Sequence, residues 1–135
     1  MKRLVLATGL IAAFACSQLT ALAEDAIATV PFDFRMGTKT LPAGEYVIHE
    51  SGRVLLIRGR NVSGGALMLT VPESRKAATS QGALVFTVYG DTHFLTRYWA
   101  PRSTAGFAVP KSAQEKELAR RISRDGVLTA RVDTK

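Results

Sequence analysis

Between residues 26 and 100 the chain is written in short β-type runs punctuated by turn residues, which points to antiparallel strands joined by tight connections. The clearest instance is Gly90-Asp91, a pair suited to a primed turn, between runs at 83–89 and 92–99. That register places Leu84, Phe86, Val88 and Leu95 on one face, the expected core, and Val85, Tyr89, Phe94 and Tyr98 on the other. A strand pair apolar on both sides needs cover on both, or it offers a binding platform. An earlier pair of runs, 45–50 and 53–58, flanks Ser51-Gly52. With those two residues as the loop, Glu50 faces Arg53 and Glu45 faces Arg58, two favourable cross-strand charge pairs. The same register gathers Tyr46, Ile48, Leu55 and Ile57 on one face and Val47, His49, Val54 and Leu56 on the other.

The flanking segments fit the same plan. Val30-Pro31-Phe32-Asp33-Phe34 puts Val30, Phe32 and Phe34 on one strand face, and Pro31, which has no ladder donor, marks an edge strand or a strand start. A connection over 37–44, a flexible loop over 59–65, a strand at 66–71 and a polar loop over 72–82 follow. Pro110-Lys111-Ser112 leads into a helical pattern over about 112–125. Ser112 and Glu115 fit a capping box, and Gly126 suits the position past the last turn. Leu118, Ala119 and Ile122 make a narrow apolar stripe, and Glu117 and Arg121 an i,i+4 pair. This helix is expected to cover the Val85, Tyr89, Phe94 and Tyr98 face. Residues 127–135 fit either a final strand or a tail. The expected fold is all-β, a small antiparallel barrel or two-layer sandwich with one C-terminal helix packed on it.

The N-terminus sets the compartment. Lys2 and Arg3 precede an apolar run over residues 4–15, and Ala21-Leu22-Ala23 offers small residues where a signal peptidase needs them. An apolar run of about 12 residues is too short to span a hydrocarbon core that needs ~20. Residues 1–23 therefore read as a cleaved secretory signal, leaving 24–135 as one domain, periplasmic or extracellular. Cys16, the single cysteine, lies within that signal, so the mature domain holds no disulfide. A small residue and a cysteine after an apolar run is also the layout of a lipoprotein signal, but Ala13 and Phe14 suit it poorly, and release after Ala23 is the favoured outcome. The whole chain carries +7, and residues 24–135 carry 16 basic against 11 acidic side chains. A basic exported protein favours anionic envelope polymers, phospholipid headgroups or acidic glycans over nucleic acid.

Catalytic chemistry finds little to use. There is no Gly-x-Ser-x-Gly elbow and no mature cysteine, and the 59–65 loop lacks the Lys-Ser/Thr ending of a phosphate loop. His49, Asp91 and His93 form the one conceivable metal set, yet a turn accounts for Asp91 and a hairpin end for His93. Glu45 and Glu50, as a glycosidase pair, are better explained opposite arginines. Asn61-Val62-Ser63 is a glycosylation acceptor only in a eukaryotic source. Arg120, Arg121 and Arg124 belong to the solvated side of the helix. Stacking aromatics beside cations would suit single-stranded nucleic acid, which export argues against. The candidate ligand-binding residues are Tyr89, Phe94, Tyr98, Arg58, Arg60, Arg75 and Lys76, with no catalytic, cofactor or metal residue assigned.

Val30-Pro31-Phe32-Asp33-Phe34, Lys39-Thr40-Leu41-Pro42-Ala43-Gly44-Glu45-Tyr46, Tyr89-Gly90-Asp91 with Phe94-Leu95 and Trp99, and Pro110-Lys111-Ser112 with Glu115 and Glu117-Leu118 together resemble a group of small uncharacterised exported bacterial proteins. The resemblance spans about 30–119 and implies compartment and architecture, with no site residues to carry over. The expected function is a non-enzymatic envelope or extracellular binding or structural module, directed toward an anionic polymer or another envelope protein. The alternative is a small secreted hydrolase or metal-dependent enzyme using His49 and His93.

Overall fold

The computed structural model describes residues 25–122 and 126–135. The expected signal peptide, Cys16, Arg124 and Asp125 lie outside the described residues. Among the described residues, eleven strands and one helix follow in the order β1 (Ala26–Val30), β2 (Phe34–Met36), β3 (Lys39–Leu41), β4 (Gly44–Ser51), β5 (Val54–Gly59), β6 (Gly65–Leu69), β7 (Val71–Ser74), β8 (Ala83–Tyr89), β9 (Thr92–Trp99), β10 (Ala105–Ala108), α1 (Ala113–Arg121) and β11 (Val127–Asp133). One sheet has the order β1-β4-β5-β6, and the other runs β11-β8-β9-β10-β7, with the β2–β3 hairpin attached to β9. The two pack as a sandwich around one core, as expected, and do not close into a barrel.

Two connections pin the sheets together at their sides. Thr70 separates β6 from β7, so one nearly continuous run leaves the first sheet and enters the second. On the opposite side Ile27 and Lys135 exchange backbone hydrogen bonds of 3.2 and 2.8 Å, which tie β1 to the end of the chain. Pro31 interrupts what reads as one strand. The chain leaves β1 there and re-forms in the second sheet as β2, with Val30 and Phe34 both buried.

Three two-residue hairpins share one device. Gly37, Gly52 and Gly90 each occupy the first loop position with φ near +60° (63°, 59° and 62°), a region that L side chains avoid. In β4–β5 this fixes Gly52-Arg53 as the loop, with Ser51 opposite Val54. The expected Ser51-Gly52 loop is therefore displaced by one residue, and the charge pairs Glu50–Arg53 and Glu45–Arg58 do not form. Glycine at the second position would have put Ser51 at the first, where a primed turn demands positive φ at a cost of about 1–2 kcal/mol. A cross-strand charge pair returns only about 0.2–1 kcal/mol. The pairing slips by two in sum, so the faces survive: Tyr46, Ile48, Leu55 and Ile57 are all buried together.

In β8–β9 the Gly90-Asp91 turn and the pairs from Tyr89–Thr92 to Phe86–Leu95 are as expected, but Thr96 is an extra residue, and Val85 pairs with Arg97. Beyond this bulge the β9 side chains change face. Tyr98 thereby turns inward opposite Leu84 and stacks on Phe107 at 6.0 Å, inside the core, instead of outward beside Phe94. The Thr96 hydroxyl donates to the Val85 carbonyl at 3.1 Å, holding the bulge. Phe34 joins the sheets, meeting Tyr46 and Phe86 edge-on at 5.3 Å each.

Ser112 caps α1 by accepting the Glu115 N–H at 3.1 Å. The helix ends at Arg121 with Ile122 extended as its cap, short of the expected 125, so Gly126 does not occupy the position past the last turn. Residues 127–133 form a full strand, paired with β8 from Val127–Tyr89 to Asp133–Ala83.

Candidate functional site

The three candidate aromatics do not share one face. Tyr98 lies in the core, where burial raises its phenol pKa and the nearby Glu50 adds to the effect. Tyr89 and Phe94 do share the outer face of the second sheet, meeting edge-on at 5.7 Å, but both are buried. Helix α1 lays Glu115 against them: its carboxylate, itself 2% exposed, accepts the Tyr89 hydroxyl at 3.2 Å. Burial raises the Glu115 pKa, while the Tyr89 hydrogen bond and Lys111 oppose the shift. Arg35 covers Phe94 with its guanidinium 5.8 Å from the ring centre. That face is covered, in part by the helix as expected, with a buried acid where an apolar residue was anticipated; Leu118 and Ile122 remain half-buried.

Two of the four candidate cations, Arg60 and Arg75, are tied into the structure. Arg75 donates to the carbonyls of Ser103, at 3.0 and 3.2 Å, and Ala100, at 3.1 Å, and lies over Trp99 at 5.2 Å. Arg97 also lies over that indole, at 5.6 Å, and grips Glu73 at two points. Gly106 leaves room for the ring: a methyl there would lie 2.3 Å from an indole carbon. Arg60 pairs with Glu45 at 2.9 Å. Arg58 and Lys76 are exposed, the first on β5 and the second in the loop after β7. The structure thus divides Arg58, Arg60, Arg75 and Lys76 between the two sheets and does not assemble them with the aromatics.

The imidazoles are separated too. His49, on the outer face of β4, meets Asp25 through Nδ1 at 2.7 Å. His93 stacks on Phe32 at 3.9 Å in the second sheet, beside a shallow recess of about 200 Å³ with Asp33, Arg35 and Asp91. Among the described residues no group of three or more His, Cys, Asp or Glu side chains could hold a metal ion. Glu45 serves Arg60, and its N–H is capped by the Asn61 side-chain oxygen at 2.8 Å. Burial raises the pKa of Glu50, whose Oε2 is enclosed without a hydrogen-bond partner.

The site that does form was not anticipated. A cleft of about 650 Å³ opens where β6 and the segment 110–112 diverge beyond the β7–β10 pairing. The tip of the β2–β3 hairpin closes one end, and Met68 packs against the backbone of Gly37. Met36, Leu56, Ala66, Leu67, Met68 and Pro110 supply an apolar lining, with Lys39 and Lys111 as its two charged groups. No carboxylate lines it among the described residues. Its size falls in the range of about 300–1,000 Å³ usual for ligand pockets. Each contributing segment reads as ordinary loop or strand in sequence, and the one signal available was the alternation Leu67, Leu69, Val71, whose side chains are 62%, 68% and 56% exposed. No protein family, curated protein or solved structure matches this chain.

Proposed function

We propose that the chain is an exported, non-enzymatic binding module whose cleft between β6 and residues 110–112 holds a ligand that is anionic and partly apolar. The observation that carries this is the apolar lining flanked by Lys39 and Lys111, with no carboxylate among the described lining residues and Glu115 reaching Lys111 only from the helix behind it. In such a setting an ammonium attracts an anion more strongly than at an open surface, because the apolar walls exclude part of the screening water. The excess of basic side chains over the whole chain steers anions toward the protein in the same sense. Export supports an envelope partner such as an anionic polymer or another envelope protein, and follows from the signal-like residues 1–23.

Anilinonaphthalene sulfonate, which is both apolar and anionic, is the first probe. Its fluorescence titration with residues 24–135 is expected to saturate, and Lys39→Ala with Lys111→Ala to weaken binding roughly tenfold, the loss of about 1.4 kcal/mol of charge-assisted contact. Binding that is unchanged in the double variant would refute the assignment. Intact mass of exported material should correspond to a chain starting at Glu24; a lipid-modified Cys16 terminus would overturn that processing.

A further inference from the structure

The first sheet stops at β6, and the ladder shows which backbone groups are left over. Gly59 donates to the Gly64 carbonyl at 2.8 Å and Thr70 to the Arg53 carbonyl at 2.7 Å, bracketing the β5–β6 pairing at both ends. In an antiparallel pair, residues alternate between bonding the neighbour and facing away from it. Counting inward from Gly64 and Thr70, Ala66 and Met68 bond to β5. The N–H and C=O groups of Gly65, Leu67 and Leu69 therefore point to the open side of the strand, where the cleft lies.

Natural sheets blunt such an edge with lysine, proline, a bulge or a covering segment. β6, Gly-Ala-Leu-Met-Leu, has neither lysine nor proline and runs in unbroken register from Gly65 to Leu69. The outer faces of Leu67 and Leu69 stand open and continue the apolar surface of Leu56 and Val54, their partners on β5. Lys39 and Lys111 stand in the cleft, and Arg58 is exposed on β5 opposite Gly65. Lys39, Lys111 and Arg58 outnumber the one acid within reach, Glu115 beside Lys111, so this edge is net cationic. A second copy of the chain would bring its own cations against them, whereas an acidic strand would be attracted.

We propose that β6 accepts an extended acidic peptide segment of a partner protein as a fifth strand of the first sheet. Main-chain hydrogen bonds to Gly65, Leu67 and Leu69 hold it. One alternate set of its side chains enters the cleft over Met36 and Met68, the other lies along Leu67 and Leu69, and its carboxylates meet Lys39 and Lys111. This is the strand-addition mode of peptide recognition, in which backbone bonds supply affinity and alternate pockets supply selectivity. It rests on the reading of the cleft as an anionic ligand site and names the ligand class.

The test uses isotope-labelled residues 24–135 and a short synthetic peptide of alternating valine and glutamate. Two further versions carry N-methyl groups on alternate residues, one in each frame. The parent peptide is expected to shift the Gly65, Leu67 and Leu69 amides and to slow their exchange with solvent. One N-methylated frame should bind about tenfold or more weakly, having lost its bonds to β6, while the other, with methyls turned away, binds like the parent. If both frames bind like the parent but all need Lys39 and Lys111, the cleft holds anions without adding a strand, and the strand proposal alone falls. If no peptide binds while the sulfonate probe does, the peptide class is wrong. If neither binds, both readings fall. Self-association that shifts the same three amides as protein concentration rises would make a second copy the occupant and overturn the acidic partner.

Discussion

Phe86 is where the packing of the two sheets is most exposed to test. Its side chain is fully buried and meets Phe32 at 4.9 Å and Phe34 at 5.3 Å, both edge-on, and Phe34 in turn reaches Tyr46 across the core. Phe86→Ala removes a ring from the centre of this chain and leaves a cavity that β8, paired on both sides by β9 and β11, has little freedom to collapse. Burial loss plus cavity puts the cost at about 3–5 kcal/mol, a large part of the ~5–15 kcal/mol that holds a domain of this size. With a urea m-value of about 1.5 kcal/mol/M, the unfolding midpoint should fall by roughly 2–3 M. A double-mutant cycle with Phe32→Ala should return a coupling of about 0.5–1.5 kcal/mol for the edge-on pair. A midpoint change worth less than about 1 kcal/mol at unchanged slope would refute the assignment of Phe86 to the sheet–sheet core.

The other tests address the covered face and the indole stack. Burial raises the Glu115 pKa above its unfolded value, so the folded state binds that proton more tightly; the associated stability is present at low pH and lost as pH rises through the raised value. Wild type should lose stability relative to Glu115→Gln across that window in parallel urea titrations, and curves that stay parallel would refute the buried environment. Gly106→Ala drives a methyl to 2.3 Å from the Trp99 ring, over which Arg75 and Arg97 both lie, and should cost about 1–3 kcal/mol. Because Trp99 is the single tryptophan, its emission should shift in the same variant, and an unchanged spectrum and melting temperature would show the ring free to move aside. Arg75→Met should lower stability by about 1.5–3 kcal/mol, since the guanidinium hydrogen-bonds two carbonyls of the 100–103 turn, and a neutral result in thermal melts would return Arg75 to the pool of free cations.

The strand pattern was legible because alternation and glycine placement are local. Tyr46, Ile48, Leu55 and Ile57 are buried on one face despite the displaced loop, since a pairing slip that moves residues by two leaves each side chain on its own side of the pleat. The slip itself is legible in Gly52, as the glycine of Gly90-Asp91 also occupies the first loop position; the opposite charges at Glu50 and Arg53 favour the other loop but carry less energy than the turn. Thr96 was not readable. A bulge inserts one residue without altering hydrophobicity, so Tyr98 kept the appearance of an outward partner to Phe94 while its backbone had already turned it inward.

The candidate site was hidden for a different reason. Arg60, Arg75 and Tyr89 stand out in sequence because they are charged or aromatic, and the folded chain uses each of them internally, against Glu45, the 100–103 carbonyls and Glu115. The cleft instead arises where three distant segments meet: the 36–39 turn, the outward edge of β6 and residues 110–112. No spacing rule links Lys39 to Lys111, and the third ingredient, the unpaired backbone of Gly65, Leu67 and Leu69, belongs to no side chain at all. What the sequence did offer was an omission. Gly-Ala-Leu-Met-Leu carries no charge and no proline, and the topology puts it at the rim of the first sheet. An edge without protection risks aggregation, and the proposed fifth strand would supply that protection.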